Sequence, residues 1–542
     1  MRATWVIVIG FSGFILSLLL SWLYFDLSYF EPDTVSYLFQ AKLFARGKLC
    51  LPAPPEYGLS PSPHINILNG KWYSKYPFGN ALMLTPGVFI NAPWLIPAMM
   101  TGLALWLLYL IVEEAYGRRT ALLASFLGLI SPATLGMGAT WFSEPVSRFY
   151  LALFLLGLFG MIRSGRWIYA FLSGFALGYA FNTRPVPAVA FGLCGAGFLI
   201  YHLIRSPMKV RLIKLIALFL IPLSFMIGLT MAWNLYFTGN PLRFTHNAAQ
   251  PYDRMGFGRR SEGYDPDLEH AFIFTPKWAL ERIWRHTIPC VSFNTLGWGY
   301  YRPDLFRSFW RGEERLLVLK VIPLVFPIIL MLLPFIHRSR NGYDLFFISL
   351  FLMTLFIYSF FYFEGSTWGI TPVNARYYAE CTLLGIIPLI ARGMIITYRG
   401  LRSLGDRLPR PARITGGVLI LFLLCALAAN TVYSYILFAR PFRNWSDVYQ
   451  KLPKLVKENE IHNAVIFIPH SRSAPLGDYP FEALQEADIV YFKLGPSKVW
   501  RLTNSDWREI YRRYFKGRKA YIYEGGKLKY LQISNGEESE QP

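Results

Sequence analysis

The chain has 542 residues, of which 54% are hydrophobic and only 16% charged, and its formal net charge is +21. Soluble domains carry roughly a quarter charged residues, so this composition excludes an ordinary soluble enzyme and points to a polytopic, α-helical membrane protein. The basic excess fits loop lysines and arginines that face anionic membrane lipids, and no nucleic-acid partner is expected.

In chain order, the first apolar run, 5–25, has the length of a bilayer span. It is longer than a signal-peptide core and has no small-x-small cleavage site, so it reads as a retained span. Ten further candidate spans lie near 93–112, 121–140, 146–162, 167–182, 185–204, 212–233, 315–336, 345–363, 378–398 and 413–438. Charge supports this count of about 11. The segments 117–119, 163–166, 204–214, 337–340 and 398–413 are basic, while the alternating loops carry Asp26, Glu31, Asp33, Glu144, Asp253, Asp265, Asp267 and Glu364. The positive-inside rule then puts the N-terminus in the cytoplasm and the C-terminus outside, in a multi-pass protein of the cell (inner) membrane.

The membrane domain is expected over 1–438, with large outer loops at 26–92 and 234–314. In the first loop, Val35, Leu38, Phe39, Leu43 and Phe44 have helical spacing, which predicts a helix in the interface plane with Lys42 and Arg46 near headgroups. From 439 to 542 the composition becomes that of a soluble domain. NAVIFIPH and ADIVYFKLG read as strands, DWREIYRRYF as a helix, and KAYIYEGGKLKYLQI as a hairpin turning at Gly525-Gly526. A small extracytoplasmic α/β domain follows from that pattern.

The residues suited to chemistry lie at the predicted outer surface. Asp33 can take a proton from a hydroxyl. Glu31, two positions earlier, is a rival for that role, and both acids also suit the N-terminus of a helix. Lys75, in KWYSKYPFG, can present its ammonium to a lipid phosphate, or anchor the chain at the interface with its aromatic neighbours. Glu144, in WFSEPVSR, can start a helix, pair with Arg148 or another arginine, or hold a divalent metal. Arg184, in NTRPVPA, and Arg376, in NARYY, offer guanidinium forks to phosphate, or snorkel. His64, His246, His270 and His286 show no paired metal-ligand spacing, and Cys50, Cys194, Cys290, Cys381 and Cys425 form no CxxC pair. There is no Walker loop, GxSxG or HExxH, which argues against an ATP-driven pump and against serine or zinc hydrolases.

The phrases FEPDTVSYLFQAKLFARGKL, GKWYSKYPFGNALML, YGRRTALLAS, NTRPVPAVA, YFTGNPLRF with DRMGFG, and NARYYAE occur in that order. Together they resemble the GT-C superfamily of membrane glycosyltransferases, near the dolichyl-phosphate-mannose–protein mannosyltransferase-like proteins of family 39 and the lipid A aminoarabinose transferases. The resemblance covers about residues 20–400. It implies a polyprenyl-phosphate-linked sugar as donor, a glycan, lipid or protein acceptor, and transfer with inversion. It places the catalytic base at Asp33, the donor-phosphate contact at Lys75 with an arginine (Arg376 or Arg184), and a second outer acid at Glu144. Two departures stand out: Glu31 and Asp33 are separated by Pro32 where the mannosyltransferases have adjacent Asp-Glu, and the C-terminal domain differs. The alternatives are a transporter or flippase of lipid-linked sugars, which usually places ionisable groups at mid-membrane, and an enzyme like the O-antigen ligases and polymerases, whose main outer loop usually comes late in the chain.

Overall fold

The computed structural model describes residues 2–248 apart from positions 30, 61 and 206, then 254–260, 272–283, 317–337, 341–361, 376–405, 450–469, 487–494 and 506–532, with isolated positions between. Most of the expected second outer loop and of the span at 413–438 lie outside these residues, as do Asp253, Asp265, Asp267, Glu364, His270, His286 and Cys290.

Long helices dominate. In chain order they begin with α1 (Arg2–Phe25) and α2 (Pro32–Ala45). After a small sheet come α3 (Phe78–Phe89), α4 (Leu95–Tyr116), α5 (Arg118–Leu129), α6 (Pro132–Gly138), α7 (Glu144–Ser164), α8 (Trp167–Thr183), α9 (Pro185–Arg205) and α10 (Lys209–Thr238). Shorter pieces α11 (Thr245–Ala248) and α12 (Pro276–Arg282) precede α13 (Leu317–Ile336), α14 (Gly342–Ser359) and α15 (Arg376–Gly405). Among the described residues, seven helices are long and apolar enough to cross a membrane, or eight if a bent pair counts as one span.

The expected eleven spans are therefore only partly matched. The third is broken into α5 and α6, bent by 57° where Pro132 starts a new helix after Ser131. The fifth, α8, has 17 residues, just under a full crossing. The apolar helix α3, 12 residues long, sits inside what reads from sequence as outer loop. Helices pack closely where side chains are smallest: a Cβ on Gly102 of α4 would strike the Gly10 carbonyl of α1.

The helix α2 departs from its expected setting. Its buried residues run from Asp33 to Ala41 without a break, so it has no solvated face to lay on an interface. The strands β1 (Leu51–Pro52), β2 (Ile65–Leu68) and β3 (Lys71–Ser74) pair antiparallel in the order β1-β3-β2 and cover it. Asn69-Gly70, both with positive φ (52° and 70°), make the two-residue turn between β2 and β3. The buried polar groups of α2 are paired with this sheet. Ser36 Oγ donates to the His64 carbonyl at 2.6 Å, and Gln40 Oε1 accepts from the Ser74 N–H at 3.1 Å.

After a two-stranded ribbon, β4 (Gly258–Arg260) with β5 (Phe272–Phe274), the last sheet comprises β6 (Ala464–Ile468), β7 (Ile489–Lys493), β8 (Lys519–Glu524) and β9 (Lys527–Tyr530). Its order is β7-β6-β8-β9, parallel except for the hairpin β8–β9, whose Gly525-Gly526 turn has positive φ at both positions. Leu59 of the first loop is buried in its core with Phe467 and Phe492. Gln450 Nε2 also donates to Ser28 Oγ at 2.5 Å, and Lys454 Nζ lies 2.9 Å from Asp26 Oδ2. The C-terminal sheet region is thus fastened to the segment that leads into α2.

Candidate active site

The site is built at the start of α2. Glu31 is its N-cap: the carboxylate accepts the Asp33 N–H at 3.1 Å, and Thr34 Oγ1 accepts the Glu31 N–H at 3.2 Å, completing a capping box. The sequence left both acids open to this role, and Glu31 fills it. Asp33, one turn position further, points inward and is 5% exposed.

Three side chains meet the Asp33 carboxylate. Arg376 Nη2 lies 2.5 Å from Oδ2, His64 Nε2 lies 3.1 Å from Oδ1, and the Tyr76 hydroxyl donates to Oδ1. Lys75, 4% exposed, follows directly after β3 with its ammonium 5.3 Å from the Tyr76 ring centre. Its backbone is held on both sides: its N–H donates to the His64 carbonyl at 3.0 Å, and Thr245 Oγ1 of α11 donates to its carbonyl at 2.9 Å.

Burial by itself would raise the Asp33 pKa. The Arg376 guanidinium, followed by His64, Lys75 and the Tyr76 hydrogen bond, outweighs it and holds the carboxyl well below its usual range. Asp33 is therefore ionised at neutral pH. Burial and the Lys75 charge push His64 well below its usual value, so it meets Asp33 as a neutral imidazole with the hydrogen assigned to Nε2. Glu31 moves the other way. Burial, then the Asp33 charge, push it up to about 8, so it carries a proton at neutral pH. Two carboxyls two residues apart are thus driven in opposite directions.

A second cluster adjoins the first. Glu144 is the first residue of α7 and fully buried. Arg184, at the junction of α8 and α9, places Nη1 2.5 Å from Glu144 Oε1 and Nε 2.9 Å from Glu380 Oε1. Arg184 Nη2 also donates to the Tyr358 hydroxyl at 3.2 Å. Arg376 joins the clusters, its Nε 3.8 Å from Glu144 Oε1 and its guanidinium 4.2 Å above the Phe142 ring. Of the two pairings open to Glu144, with Arg148 or with another arginine, the structure shows the second, with Arg184. Arg148 instead donates to the carbonyls of Ala133 at 3.1 Å and Thr134 at 3.0 Å, tying α7 to α6.

The structure thus brings together Asp33, Lys75 and Arg376, and beside them Glu144 and Arg184. His64 reads from sequence as a lone loop histidine, and Tyr76 as an anchor; neither is singled out as an Asp33 partner. Glu380 is also missed, although it lies four residues after Arg376, the spacing of neighbours on one helix face. The near oxygen of Glu144 faces two guanidiniums, and among the described residues no group of three His, Cys, Asp or Glu side chains stands together as a metal-ligand set.

Residues 82–227 match the family model for dolichyl-phosphate-mannose-protein mannosyltransferase. YkcB of Bacillus subtilis (strain 168), a proposed mannosyltransferase, is 25% identical over 144 residues, which are 26% of this chain and 19% of YkcB. The chain thus spans about a fifth of that relative's length. In fold it is similar to ArnT from Cupriavidus metallidurans bound to undecaprenyl phosphate, with a TM-score of 0.54 at 13% identity, over 96% of this chain and 93% of ArnT. The apo state of the same protein gives 0.52 over the same shares. The family match over residues 82–227 and the likeness in fold to ArnT agree with the resemblance read from the sequence, and the long apolar helices make this a multi-pass membrane protein.

Proposed function

We propose that the protein is an integral-membrane glycosyltransferase that moves a sugar from a polyprenyl-phosphate donor to an acceptor hydroxyl on the extracytoplasmic side, with inversion and with Asp33 as general base. One observation carries this reading. Asp33 is buried and ionised at the end of the bundle where α7 begins and α8 ends, and a lysine and an arginine suited to phosphate stand within the same cluster. A transporter of lipid-linked sugars usually places such a group at mid-membrane rather than at the end of the bundle.

In the reaction, the acceptor oxygen forms its new bond to the anomeric carbon from the face opposite the lipid. The bond from that carbon to the phosphate oxygen breaks, its electron pair leaving with the polyprenyl phosphate. The acceptor proton passes to Asp33. Positioned base catalysis of this kind contributes roughly a hundred- to ten-thousand-fold. Lys75 and Arg376 neutralise the departing phosphate without having to be assembled at that moment.

Arg376 plays two parts. Before donor binds, it lowers the basicity of Asp33 by pairing with it. The donor phosphate competes for the same guanidinium and draws it away, so the carboxylate becomes a stronger base only when there is substrate to attack. Arg184 is already committed to Glu144 and Glu380, and it serves the phosphate indirectly by fixing the carboxylate beside Arg376.

The test is mass spectrometry of cell-envelope glycans, glycolipids and glycoproteins with and without the gene, together with purified protein supplied with synthetic polyprenyl-phosphate sugars. The proposal expects one sugar to vanish from one acceptor class, and the matching lipid donor to be consumed in vitro. An unchanged envelope and no donor turnover across the set would contradict it.

A further inference from the structure

Besides the outer cluster, the structure contains a basic pocket of about 360 Å³ where α7 ends and α9 turns into α10. It lies at the other end of the bundle from Asp33: α7 runs from Glu144 to Ser164, and 21 residues of α-helix span about 30 Å. Among the described residues, three arginines line it, Arg163, Arg205 and Arg211, and no acidic residue does.

Their present partners leave most of that charge uncompensated. Arg163 pairs with Glu114 of α4 just outside the pocket. Arg205 lies over the Tyr201 ring at 4.6 Å, and Arg211 Nη2 donates to the Ser164 and Gly165 carbonyls, each at 3.2 Å. Among the described residues, neither Arg205 nor Arg211 forms an ion pair. Gly165 is in the left-handed region at φ 63°, and the Arg211 guanidinium packs against the space a Cβ would take. That close approach fixes the guanidinium at the pocket wall. The floor is apolar, from Met161, Leu212 and Leu215. The same helices carry exposed apolar side chains out of the pocket along the lipid-facing surface: Ile204 (70% exposed), Val210 (69%) and Ile213 (53%).

We propose that this pocket is a specific site for an anionic phospholipid, with its headgroup phosphate between Arg205 and Arg211 and its acyl chains along Ile204, Val210 and Ile213. A soluble anion satisfies the arginines but gains nothing from the apolar floor and rim. A zwitterionic lipid fills the rim but lacks the net charge that three arginines favour. The site is separate from the one assigned to the donor, and it holds a resident lipid rather than a substrate.

The experiment uses the purified full-length protein, delipidated in detergent, with native mass spectrometry and thermal unfolding as readouts. Phosphatidylglycerol is expected to stay bound at collision energies that strip phosphatidylcholine, and to raise the melting temperature by several degrees. In R205Q/R211Q, phosphatidylglycerol retention is expected to fall at least tenfold. Because Arg211 also caps α7, R205Q alone is measured beside it. Among the described residues Arg205 forms no ion pair and lies over the Tyr201 ring, so R205Q should melt like the parent in phosphatidylcholine while retaining several-fold less phosphatidylglycerol. Equal retention of both lipids by the parent, or undiminished retention by both variants, overturns the proposal. Inorganic phosphate reproducing the full thermal shift overturns it too, because the site would then be one for a soluble anion.

Discussion

The bundle buries charge at both ends, and the two ends treat it differently. Where α4, α14 and α15 meet, both oxygens of the Asp344 carboxylate have partners. Arg392 Nε lies 3.0 Å away, the Tyr116 hydroxyl donates at 2.8 Å, and the Asn341 N–H donates at 2.8 Å in a capping box. At the Asp33 end the groups are just as buried but less complete. Glu144 Oε2 has no hydrogen-bond partner among the described residues. Arg376 is shared between Asp33 and Glu144. A closed ion pair holds helices in register. A shared arginine beside an unfilled carboxylate oxygen is a device that can exchange partners, which is what handing a guanidinium to an incoming phosphate requires.

Substitutions at four positions sharpen this contrast, the first by its cost in stability. Arg392→Ala leaves Asp344 buried without its cation and should destabilise the protein by about 3–5 kcal/mol. The fraction that remains folded should transfer sugar at the parental rate, as measured by unfolding in detergent and by turnover per folded molecule. A large loss of turnover per folded molecule would make the Asp344 end part of the catalytic machinery.

Arg376→Gln should act the other way, costing rate more than stability. It also removes the largest group that lowers the Asp33 pKa. Asp33 works deprotonated, so activity falls as pH drops through its pKa, and in the variant that acid limb should move to higher pH. A pH profile of kcat/KM with the limb unmoved would separate Arg376 from Asp33.

Lys75→Ala should weaken use of the lipid donor about tenfold or more, the scale of one charge-assisted contact to phosphate. Lys75→Arg should weaken it less, since the charge is kept. Parental donor kinetics in both variants would reduce Lys75 to an anchor.

Glu31→Gln has the smallest expected effect on rate, because Glu31 is protonated at neutral pH and a glutamine resembles it. It has a distinct stability signature. The folded-state pKa, about 8, is raised above the ordinary 4.5, so between these values the folded protein binds the extra proton. Its contribution is present below about pH 4.5 and is lost as pH rises to 8. The parent should therefore lose stability across that window and Glu31→Gln should not. Parallel stability curves for the two would remove the raised pKa from the account.

How much of this was legible beforehand depends on the range of the signal. Helices that cross the membrane announce themselves by twenty local apolar residues, and the C-terminal hairpin by Gly525-Gly526. Asn69-Gly70 between INIL and KWYS is an equally local turn signal, and it marks the β2–β3 hairpin. The burial of α2 was not legible, because the strands that pair its polar residues lie beyond a separate loop and those residues resemble a solvated face until their partners are known. Asp33, Lys75 and Arg376 stand out in the sequence as an acid and two cations at the predicted outer surface, and the resemblance implies their roles. Their meeting was not legible, since Arg376 lies 343 positions from Asp33 and nothing local encodes the contact. Asp33 rather than Glu31 as base followed from the resemblance, and the capping box now supplies an independent physical reason.

The central claim is that Asp33 is the base, and Asp33→Asn tests it most directly. Asparagine keeps the size of the side chain, and its one amide oxygen can still accept from Tyr76 or from Arg376, but it cannot take a proton. The measurement is sugar transfer by the purified variant, with donor binding and thermal unfolding recorded on the same preparation. The account predicts normal insertion and donor binding with transfer reduced a hundredfold or more, about 3 kcal/mol of barrier. Near-parental transfer by Asp33→Asn beside an inactive Glu31→Gln would move the base to Glu31, and full activity in both would contradict the mechanism.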